Sequence, residues 1–234
     1  MLKLEDVYAG YGRTLVLQGV SLELGDGEIV AVLGRNGVGK STMLKAIVGA
    51  IPTGSGRITL DGEDIAQVPA HVRARRGLAY VPQGREVFPA LSVLDNLRVA
   101  AYGSRRPDWS ARLQELLEEF PLLAEKRDSR AGSLSGGQQQ ILAVARALMT
   151  DPRVLLLDEP SEGIQPSIVD QIVDTIRAIH ADRGISVVLV EQNLDFAAQV
   201  AGRAYLIEKG RVVRELPPGE VLEDRDLQRE YMGI

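Results

Sequence analysis

The segment that most constrains the fold is GRNGVGKS, at residues 34–41, which directly follows the apolar run EIVAVL at residues 28–33. Glycine adopts backbone angles that other residues avoid, so successive N–H groups of such a loop can point into one concavity. The apolar run predicts a buried strand, and STMLKAIVGA at residues 41–50 predicts a helix that ends near Gly49. A strand, a glycine-rich loop and a helix in this order are typical of a parallel α/β core.

The composition of this loop indicates a triphosphate site. It fits the pattern G-x-x-x-x-G-K-[ST], in which the loop amides and the helix N-terminus attract an anion. Lys40 would place its charge on the β- and γ-phosphates, and the Ser41 hydroxyl would ligate Mg²⁺. A glycine-rich turn with an incidental lysine is the alternative, which the flanking strand and helix disfavour. The expected nucleotide-binding residues are Gly34, Arg35, Asn36, Gly37, Val38, Gly39, Lys40, Ser41 and Thr42.

A second candidate site lies in RVLLLDEP, residues 153–160, where an apolar strand ends in two carboxylates. Asp158 at the end of the strand would hold Mg²⁺, commonly through water. Glu159 lies one residue further on and therefore points elsewhere, where it could orient or deprotonate a water that attacks the γ-phosphate. Such a pair could also be two solvated acids at a strand end, but the phosphate loop in the same chain favours the metal interpretation.

The other apolar runs predict the rest of an α/β fold. Continuous apolar segments of the kind found in buried parallel strands occur at residues 29–33, 78–81, 153–157, 186–190 and 204–208. Alternating residues in the first 30 positions, with RITLD at residues 57–61, predict a smaller antiparallel layer. Residues 84–150 contain no clear strand pattern. We therefore expect a single domain over residues 1–234, with a helical subdomain at residues 84–150.

Two helices can be placed by their apolar stripes. One follows Pro166, which is favoured in the first turn, and stops near Gly184; its stripe consists of Val169, Ile172, Val173 and Ile176. The other follows Ser110 as a candidate N-cap, and its stripe consists of Leu113, Leu116, Leu117 and Phe120. The segment RRPDWS at residues 105–110 is expected to be a polar loop.

The bulk composition excludes several classes of protein. The net charge of −5 disfavours a nucleic-acid-binding protein, and the lack of cysteine excludes disulfides and thiolate metal sites. No apolar run approaches the roughly 20 residues of a membrane-spanning helix. The acidic residues Glu5 and Asp6 do not fit a signal peptide. We therefore expect a cytoplasmic protein.

The segment LSGGQQQ, residues 134–140, opens a predicted helix and lies between the phosphate loop and LLLDEP. The order of these three motifs resembles the ATP-binding subunits of ABC transporters, and the resemblance covers essentially the whole chain. It implies a P-loop NTPase fold with a parallel-sheet core, an antiparallel β layer and a helical subdomain. It also implies ATP hydrolysis with Mg²⁺.

The resemblance assigns expected roles to further residues. Gln83 in YVPQG would contact Mg²⁺ or the attacking water, and Tyr11 in GYG would stack on adenine unless it is an ordinary turn tyrosine. SEGIQP at residues 161–166 corresponds to the D-loop. Gln192 lies where the family most often has a switch histidine; glutamine can bind the γ-phosphate or water but cannot act as a titrating base, which leaves Glu159 for that role. The signature residues Ser135, Gly136, Gly137 and Gln138 would bind ATP held by a second subunit.

One phosphate loop and one LSGGQ imply that two nucleotide-binding chains act together. The resemblance implies a homologous second ATP-binding subunit, with a homodimer possible in isolation. It also implies two transmembrane permease subunits, an extracytoplasmic solute-binding protein, no nucleic acid, and a peripheral location on the cytoplasmic face of the inner membrane. The surface at Arg85, Val87 and Phe88 would receive a permease helix, although Phe88 could instead cap the core of the helical lobe.

Three longer segments resemble one branch of the family, the importers of branched-chain amino acids and of urea or short-chain amides. They are residues 80–97, 158–168 and 190–197, and GRNGVGKST, VPQGRE and GIQPS favour the urea and amide group. Two other functions fit the sequence less well than transport. A nucleotide-gated clamp on DNA or the ribosome would need a coiled-coil insertion, a second cassette or basic stretches, and a P-loop kinase leaves LSGGQ unexplained.

Overall fold

A computed structural model describes residues 1–104 and 108–233 as a mixed α/β fold. The strands are β1 (Leu2–Tyr11), β2 (Thr14–Leu24), β3 (Ile29–Leu33), β4 (Thr53–Leu60), β5 (Glu63–Asp64), β6 (Leu78–Val81), β7 (Val154–Asp158), β8 (Ser186–Glu191), β9 (Arg203–Glu208) and β10 (Arg211–Leu216). The helices are α1 (Lys40–Val48), α2 (Ala70–Arg75), α3 (Val93–Ser104), α4 (Trp109–Glu119), α5 (Pro121–Glu125), α6 (Gly136–Leu148), α7 (Pro166–Arg183), α8 (Leu194–Val200), α9 (Pro218–Glu223) and α10 (Arg225–Leu227). A 3₁₀ turn spans Ala131–Ser133 and a π-helical turn spans Gln228–Met232.

The strands form two sheets, as the sequence predicts. The larger sheet has the order β10-β9-β3-β8-β7-β6, and all of its pairs are parallel except β10 with β9. The smaller sheet is antiparallel and has the order β2-β1-β4-β5. The predicted fold class, a parallel core with an antiparallel layer and helices, is confirmed.

Strand β3 is apolar throughout because both of its faces are buried. Ile29, Ala31 and Leu33 belong to one hydrophobic core, which also contains residues of α3, α4, α6, α7 and α8. Val30 and Val32 belong to a second core, formed with α1 and the antiparallel sheet. Side chains alternate between the two faces of a strand, so a continuous apolar run is what a central strand requires.

The order of the parallel strands determines where the polar motifs meet. Strand β8 lies between β3 and β7, and β6 lies beyond β7. The chain therefore leaves β3, β8, β7 and β6 along one edge of the sheet. The phosphate loop, Gln192, Glu159 and Gln83 all follow these strand ends. In open α/β sheets, ligands bind at this carboxyl edge.

The region between β6 and β7 contains helices and no strand within its described residues, 82–104 and 108–153. The predicted stripe of α4 is confirmed, since Leu113, Leu116, Leu117 and Phe120 are buried in the first core. The predicted N-cap Ser110 is wrong: α4 begins at Trp109, and Asp108 occupies the N-cap position. Of the loop predicted at residues 105–110, residues 105–107 lie outside the described residues, and Trp109 and Ser110 are helical.

The helix after Pro166 is also as predicted. It ends at Arg183, and Gly184 adopts a left-handed conformation at its C-terminus. Of its predicted stripe, Ile172, Val173 and Ile176 are buried and Val169 packs against the same core. No described helix has the length and apolar character needed to span a membrane.

Candidate active site

The glycine-rich loop forms one wall of a cavity at the carboxyl edge of the large sheet. Gly39, with φ of 113°, precedes α1, which begins at Lys40, and the first turn of this helix lines the cavity. The cavity has a volume of about 410 Å³. The residues that line it are Val16, Asn36, Gly37, Gly39, Lys40, Ser41, Thr42, Gln83 and Glu159. Sequence reasoning missed Val16, an apolar residue of β2 that no motif contains.

Lys40 is almost completely buried and is held by three oxygen atoms. Its Nζ donates to the carbonyl oxygen of Gly34 at 2.8 Å and to that of Arg35 at 3.1 Å. It also lies 3.1 Å from Oε1 of Glu159. The two side chains of this ion pair are only 3% and 5% exposed, so water screens their interaction weakly. The loop thus fixes the ammonium group inside the cavity.

The predicted nucleotide-binding residue Arg35 directs its side chain away from the cavity. Its Nη2 donates to the carbonyl oxygen of Arg229, at 2.5 Å, in the C-terminal turn. Val38 likewise turns to a neighbouring segment, since its carbonyl oxygen accepts from the N–H of Gly210. Gly34, Arg35 and Val38 do not line the cavity. The structure therefore leaves these three predicted residues outside the lining of the cavity.

Asp158 lies at the end of β7 and is held by two hydroxyl groups. Ser41 Oγ donates to its Oδ1 and Tyr80 OH donates to its Oδ2, both at 2.8 Å. Burial raises the pKa of Asp158, and the two hydroxyl donors oppose that shift. Burial, reinforced by the neighbouring carboxylate, also raises the pKa of Tyr80, which therefore remains a hydrogen-bond donor. Sequence reasoning paired Ser41 with Asp158 but missed Tyr80, which reaches Asp158 from the adjacent strand.

Glu159 points in a different direction from Asp158 because its backbone is left-handed, with φ of 47°. This conformation costs a non-glycine residue about 1 kcal/mol or more and is found at functional sites. The N–H of Glu159 donates to the carbonyl oxygen of Val190 at 3.0 Å. Its carboxylate accepts from Nε2 of Gln192 at both oxygens, 3.1 Å each, and faces Lys40 on the other side.

Gln83 and Arg85 connect this site to the loop after β7. Gln83 Nε2 donates to Oε2 of Glu162 at 2.9 Å and lies 3.4 Å from Oε2 of Glu159. Arg85 donates to the carbonyl oxygens of Glu162 and Gly163, at 3.0 and 3.3 Å. The predicted D-loop, residues 161–166, is therefore tied to the segment after β6. Sequence reasoning did not predict the contacts of Glu162.

Glu191 is a further functional candidate that sequence reasoning missed. It is the last residue of β8, and only 2% of its surface is exposed. Its carboxylate accepts from the N–H groups of Ser161 at 2.8 Å, Gln192 at 3.0 Å and Asn193 at 3.2 Å. Burial raises the pKa of Glu191, and these donors oppose the shift. The only feature of the sequence that could have indicated a role for Glu191 is its place directly before Gln192, the switch position.

The signature residues form a helix N-terminus that lies outside this cavity. Ser135 caps α6 in a reciprocal pair with Gln138: Ser135 N–H donates to Oε1 of Gln138 and Gln138 N–H donates to Oγ of Ser135. A Cβ on Gly137 would lie 2.0 Å from Cγ2 of Ile168, so only glycine allows this approach to α7. Ser135–Gln138 are not among the residues that line the cavity.

Tyr11 ends β1 and is 47% exposed. It is likewise not among the lining residues of the cavity. The structure therefore brings together the phosphate loop, Asp158, Glu159, Gln83 and Gln192, and leaves Tyr11 and the signature residues apart from them.

Comparison with known proteins identifies the family. A family model described as ABC transporter matches residues 17–162, more than half of the chain. The chain belongs to the ABC transporter family. It is 40% identical over 233 residues to the high-affinity branched-chain amino acid transport ATP-binding protein BraG of Pseudomonas aeruginosa, with full coverage of both chains. It is 38% identical over 240 residues to the lipopolysaccharide export system ATP-binding protein LptB of Escherichia coli, covering 99% of this chain and 97% of LptB.

Solved structures agree with this assignment. The ADP conformation of MJ1267, an ATP-binding cassette of an ABC transporter, superposes with a TM-score of 0.88 at 25% identity, covering 100% of this chain and 99% of that one. A dimeric post-hydrolysis structure of the cassette MJ0796 bound to ADP and Pi superposes with a TM-score of 0.81 at 27% identity, covering 93% and 99%. The chain is thus an ATP-binding, ATP-hydrolysing subunit of the ABC family, as the order of its motifs predicts.

Proposed function

We propose that this cavity hydrolyses ATP and that Lys40 and Glu159 have separate roles in the reaction. Lys40 and the amides of residues 36–42 bind the triphosphate, and Glu159 orients and deprotonates the attacking water. The observation that carries the proposal is the convergence of Lys40, Glu159 and Gln192 within 3.1 Å contacts at one edge of the sheet. The burial of the carboxylate strengthens its interactions, since little water competes with them.

Gln192 is proposed to orient Glu159 and to take no proton itself. Its amide group donates to both carboxylate oxygens, which fixes the plane of the carboxylate. An amide does not titrate in the physiological range, so the proton from water passes to Glu159. Gln83 contacts both Glu159 and Glu162, and this position supports the proposal that it also contacts the attacking water.

The residues present also fit a Mg²⁺ ion next to the phosphates. Ser41 Oγ and the carboxylate of Asp158 lie side by side, and Mg²⁺ prefers oxygen ligands. Among the described residues there is no cluster of three or more acidic or histidine ligands, which suits an ion held largely by phosphate and water. Ser41 and Asp158, with the side-chain amide oxygen of Gln83, would hold the ion. When bound, it would neutralise charge on the β- and γ-phosphates.

Two ATP-binding chains are proposed to share each nucleotide. The signature residues Ser135–Gln138 do not line the cavity of their own chain, and the N-terminus of α6 is suited to an anion. A solved relative is described as a dimer bound to ADP and Pi. We infer that Ser135, Gly136 and Gly137 of one chain close over the phosphates of the other, and that Tyr11 stacks on adenine. The second chain is a homologous subunit or another copy of this one.

The surface after Gln83 is proposed to receive a permease subunit at the cytoplasmic face of the membrane. Phe88 is 42% exposed, and the Arg146 guanidinium lies 4.7 Å from its ring centroid. Val87, in contrast, packs against the first core. Phe88 is therefore available as a contact residue of the helical subdomain proposed at residues 84–150, within one ATPase domain over residues 1–234.

The transported solute is proposed to be a branched-chain amino acid, urea or a short-chain amide, taken up with an extracytoplasmic solute-binding protein. The similarity to BraG, a branched-chain amino acid transport ATP-binding protein, supports the amino acid, whereas the segments VPQGRE and GIQPS favour urea or an amide. The similarity to LptB, named for export, extends over the same length. The solute is chosen by partner subunits, so it must be measured in the assembled transporter.

Three experiments test this function. Calorimetric titration of the purified chain with ATP and Mg²⁺, followed by phosphate release, should show binding and hydrolysis; no heat and no phosphate would refute it. Co-purification from native membranes, with mass spectrometry, should then identify a permease and a second ATPase. Uptake of leucine, urea and acetamide by that complex then distinguishes the solutes. The same complex with Glu159→Gln is the control for uptake that does not depend on ATP hydrolysis. Recovery with ribosomes or DNA instead of a permease would contradict a transport role.

A further inference from the structure

The carboxylate of Glu191 joins two loops that carry the reacting groups. Ser161, whose N–H it accepts at 2.8 Å, lies two residues after Glu159 in the loop that follows β7. Gln192 and Asn193, whose N–H groups it also accepts, belong to the loop that follows β8. Ser161 and Glu191 are 30 residues apart in the sequence. The carboxylate is therefore one of the local links between the two loops.

These contacts form a closed ring of covalent and hydrogen bonds that includes Glu159, the proposed base. The chain runs from Glu159 through Pro160 to Ser161, which donates to Glu191. Glu191 is bonded to Gln192, whose side chain returns to both oxygens of Glu159. A second link runs through the backbone, where Glu159 N–H donates to the carbonyl oxygen of Val190. Movement of either loop would change the angle at which Gln192 meets Glu159.

We propose that Glu191 is a positioning residue for hydrolysis, which clamps the loops after β7 and β8 together so that Gln192 holds Glu159 toward the water. Glu191 does not line the cavity and does not touch the nucleotide site directly. It acts through Gln192 on one side and through Ser161 on the other. The inference rests on the proposed role of Glu159 as the base.

The chemistry of the contacts explains why a carboxylate is needed here. The three N–H groups lie beside a residue that is 2% exposed, where a donor without a partner destabilises the folded chain. A carboxylate accepts at both oxygens, with two lone pairs on each. Glutamine has the same shape but offers only one acceptor oxygen, and its NH₂ group would face at least one of these donors. Glu191→Gln thus loosens one loop without opening a cavity.

The test compares Glu191→Gln with Gln192→Ala and with the double variant in the purified protein. We expect Glu191→Gln to lower kcat about tenfold while the Kd for ATP stays within about twofold, because the phosphate loop is untouched. We expect the kcat of the double variant to be within about twofold of that of the slower single variant, since both changes remove the same constraint on the orientation of Glu159. Glu191→Asp, which keeps the charge but shortens the reach, should also lower kcat.

Glu28→Gln is the control, because Glu28 also accepts from a backbone N–H, that of Gly25, and from Arg203, but lies before β3, at the opposite edge of the sheet. It should lower Tm and leave kcat near wild type. A kcat for Glu191→Gln within twofold of wild type would overturn the proposal, as would effects of Glu191→Gln and Gln192→Ala that simply multiply. The proposed function would survive either result as long as the wild type hydrolyses ATP and Glu159→Gln does not.

Discussion

Gln192 donates its side-chain amide to both carboxylate oxygens of Glu159, at 3.1 Å each. The family resemblance implies a switch histidine at this position, and we propose that Gln192 instead only orients Glu159. Since Gln192 takes no proton, we expect Gln192→Ala to lower kcat by about tenfold, less than removal of the base. Steady-state phosphate release at saturating ATP measures this. A larger loss in Gln192→Ala than in Glu159→Gln would contradict the assignment.

Glu159→Gln should slow hydrolysis by about 100- to 10,000-fold, the range attributed to general base catalysis. ATP should bind at least as tightly as to wild type, because the change removes a carboxylate that lies 3.1 Å from Lys40 Nζ and would repel phosphate. Calorimetry and phosphate release on the same preparation separate the two effects. Glu162→Gln is the control: its carboxylate also meets Gln83, yet it should retain most activity.

Lys40→Ala should abolish measurable ATP binding, with an expected loss of at least about 100-fold in affinity, or about 3 kcal/mol. The ammonium group is buried at the cavity wall and has no neighbouring cation to replace it among the described lining residues. Calorimetric titration with ATP measures the change. Lys126→Ala, which removes a lysine from an exposed pair with Glu125, should bind ATP as wild type does. Unchanged affinity in Lys40→Ala would refute its role.

Gly137→Ala should disrupt the junction of α6 and α7, because its Cβ would lie 2.0 Å from Ile168 Cγ2. We expect a loss of about 1–3 kcal/mol in the free energy of unfolding, as for other overpacked sites, with reduced hydrolysis. Denaturant unfolding measures this. Gly219→Ala is the control, because no atom lies within 4 Å of its Cβ position and it is inside α9. That change should be neutral or stabilise the chain by up to about 1 kcal/mol.

The free energy of unfolding should depend on pH through Glu28. Two hydrogen bonds from Arg203 hold the pKa of Glu28 below its ordinary value of 4.5. The folded chain therefore binds fewer protons than the unfolded chain, and this stabilisation is present above pH 4.5 and lost as pH falls through the lowered pKa. Glu28→Gln should cost about 1–3 kcal/mol at pH 7 and flatten the acid side of the stability profile. An unchanged profile would contradict this link.

Local patterns were sufficient to predict the buried parallel strands, the antiparallel layer, helices α1, α4, α6 and α7, and the candidate residues of the phosphate loop and of the end of β7. The apolar runs of the parallel strands, the loop at residues 34–41, and the pair Asp158 and Glu159 depend on properties of neighbouring residues, such as burial on both faces and glycine geometry. The start of α4 was misplaced by two residues, because Asp108 and Ser110 are both acceptable at a helix N-terminus.

The tertiary structure decided which of these groups meet. The insertion of β8 between β3 and β7 brings Gln192 to Glu159, and the left-handed backbone of Glu159 turns its carboxylate to Lys40. Strand order and a single φ angle leave no periodic trace in the sequence. For the same reason the contact of Glu191 with Ser161, across 30 residues of chain, could be found only in the folded molecule.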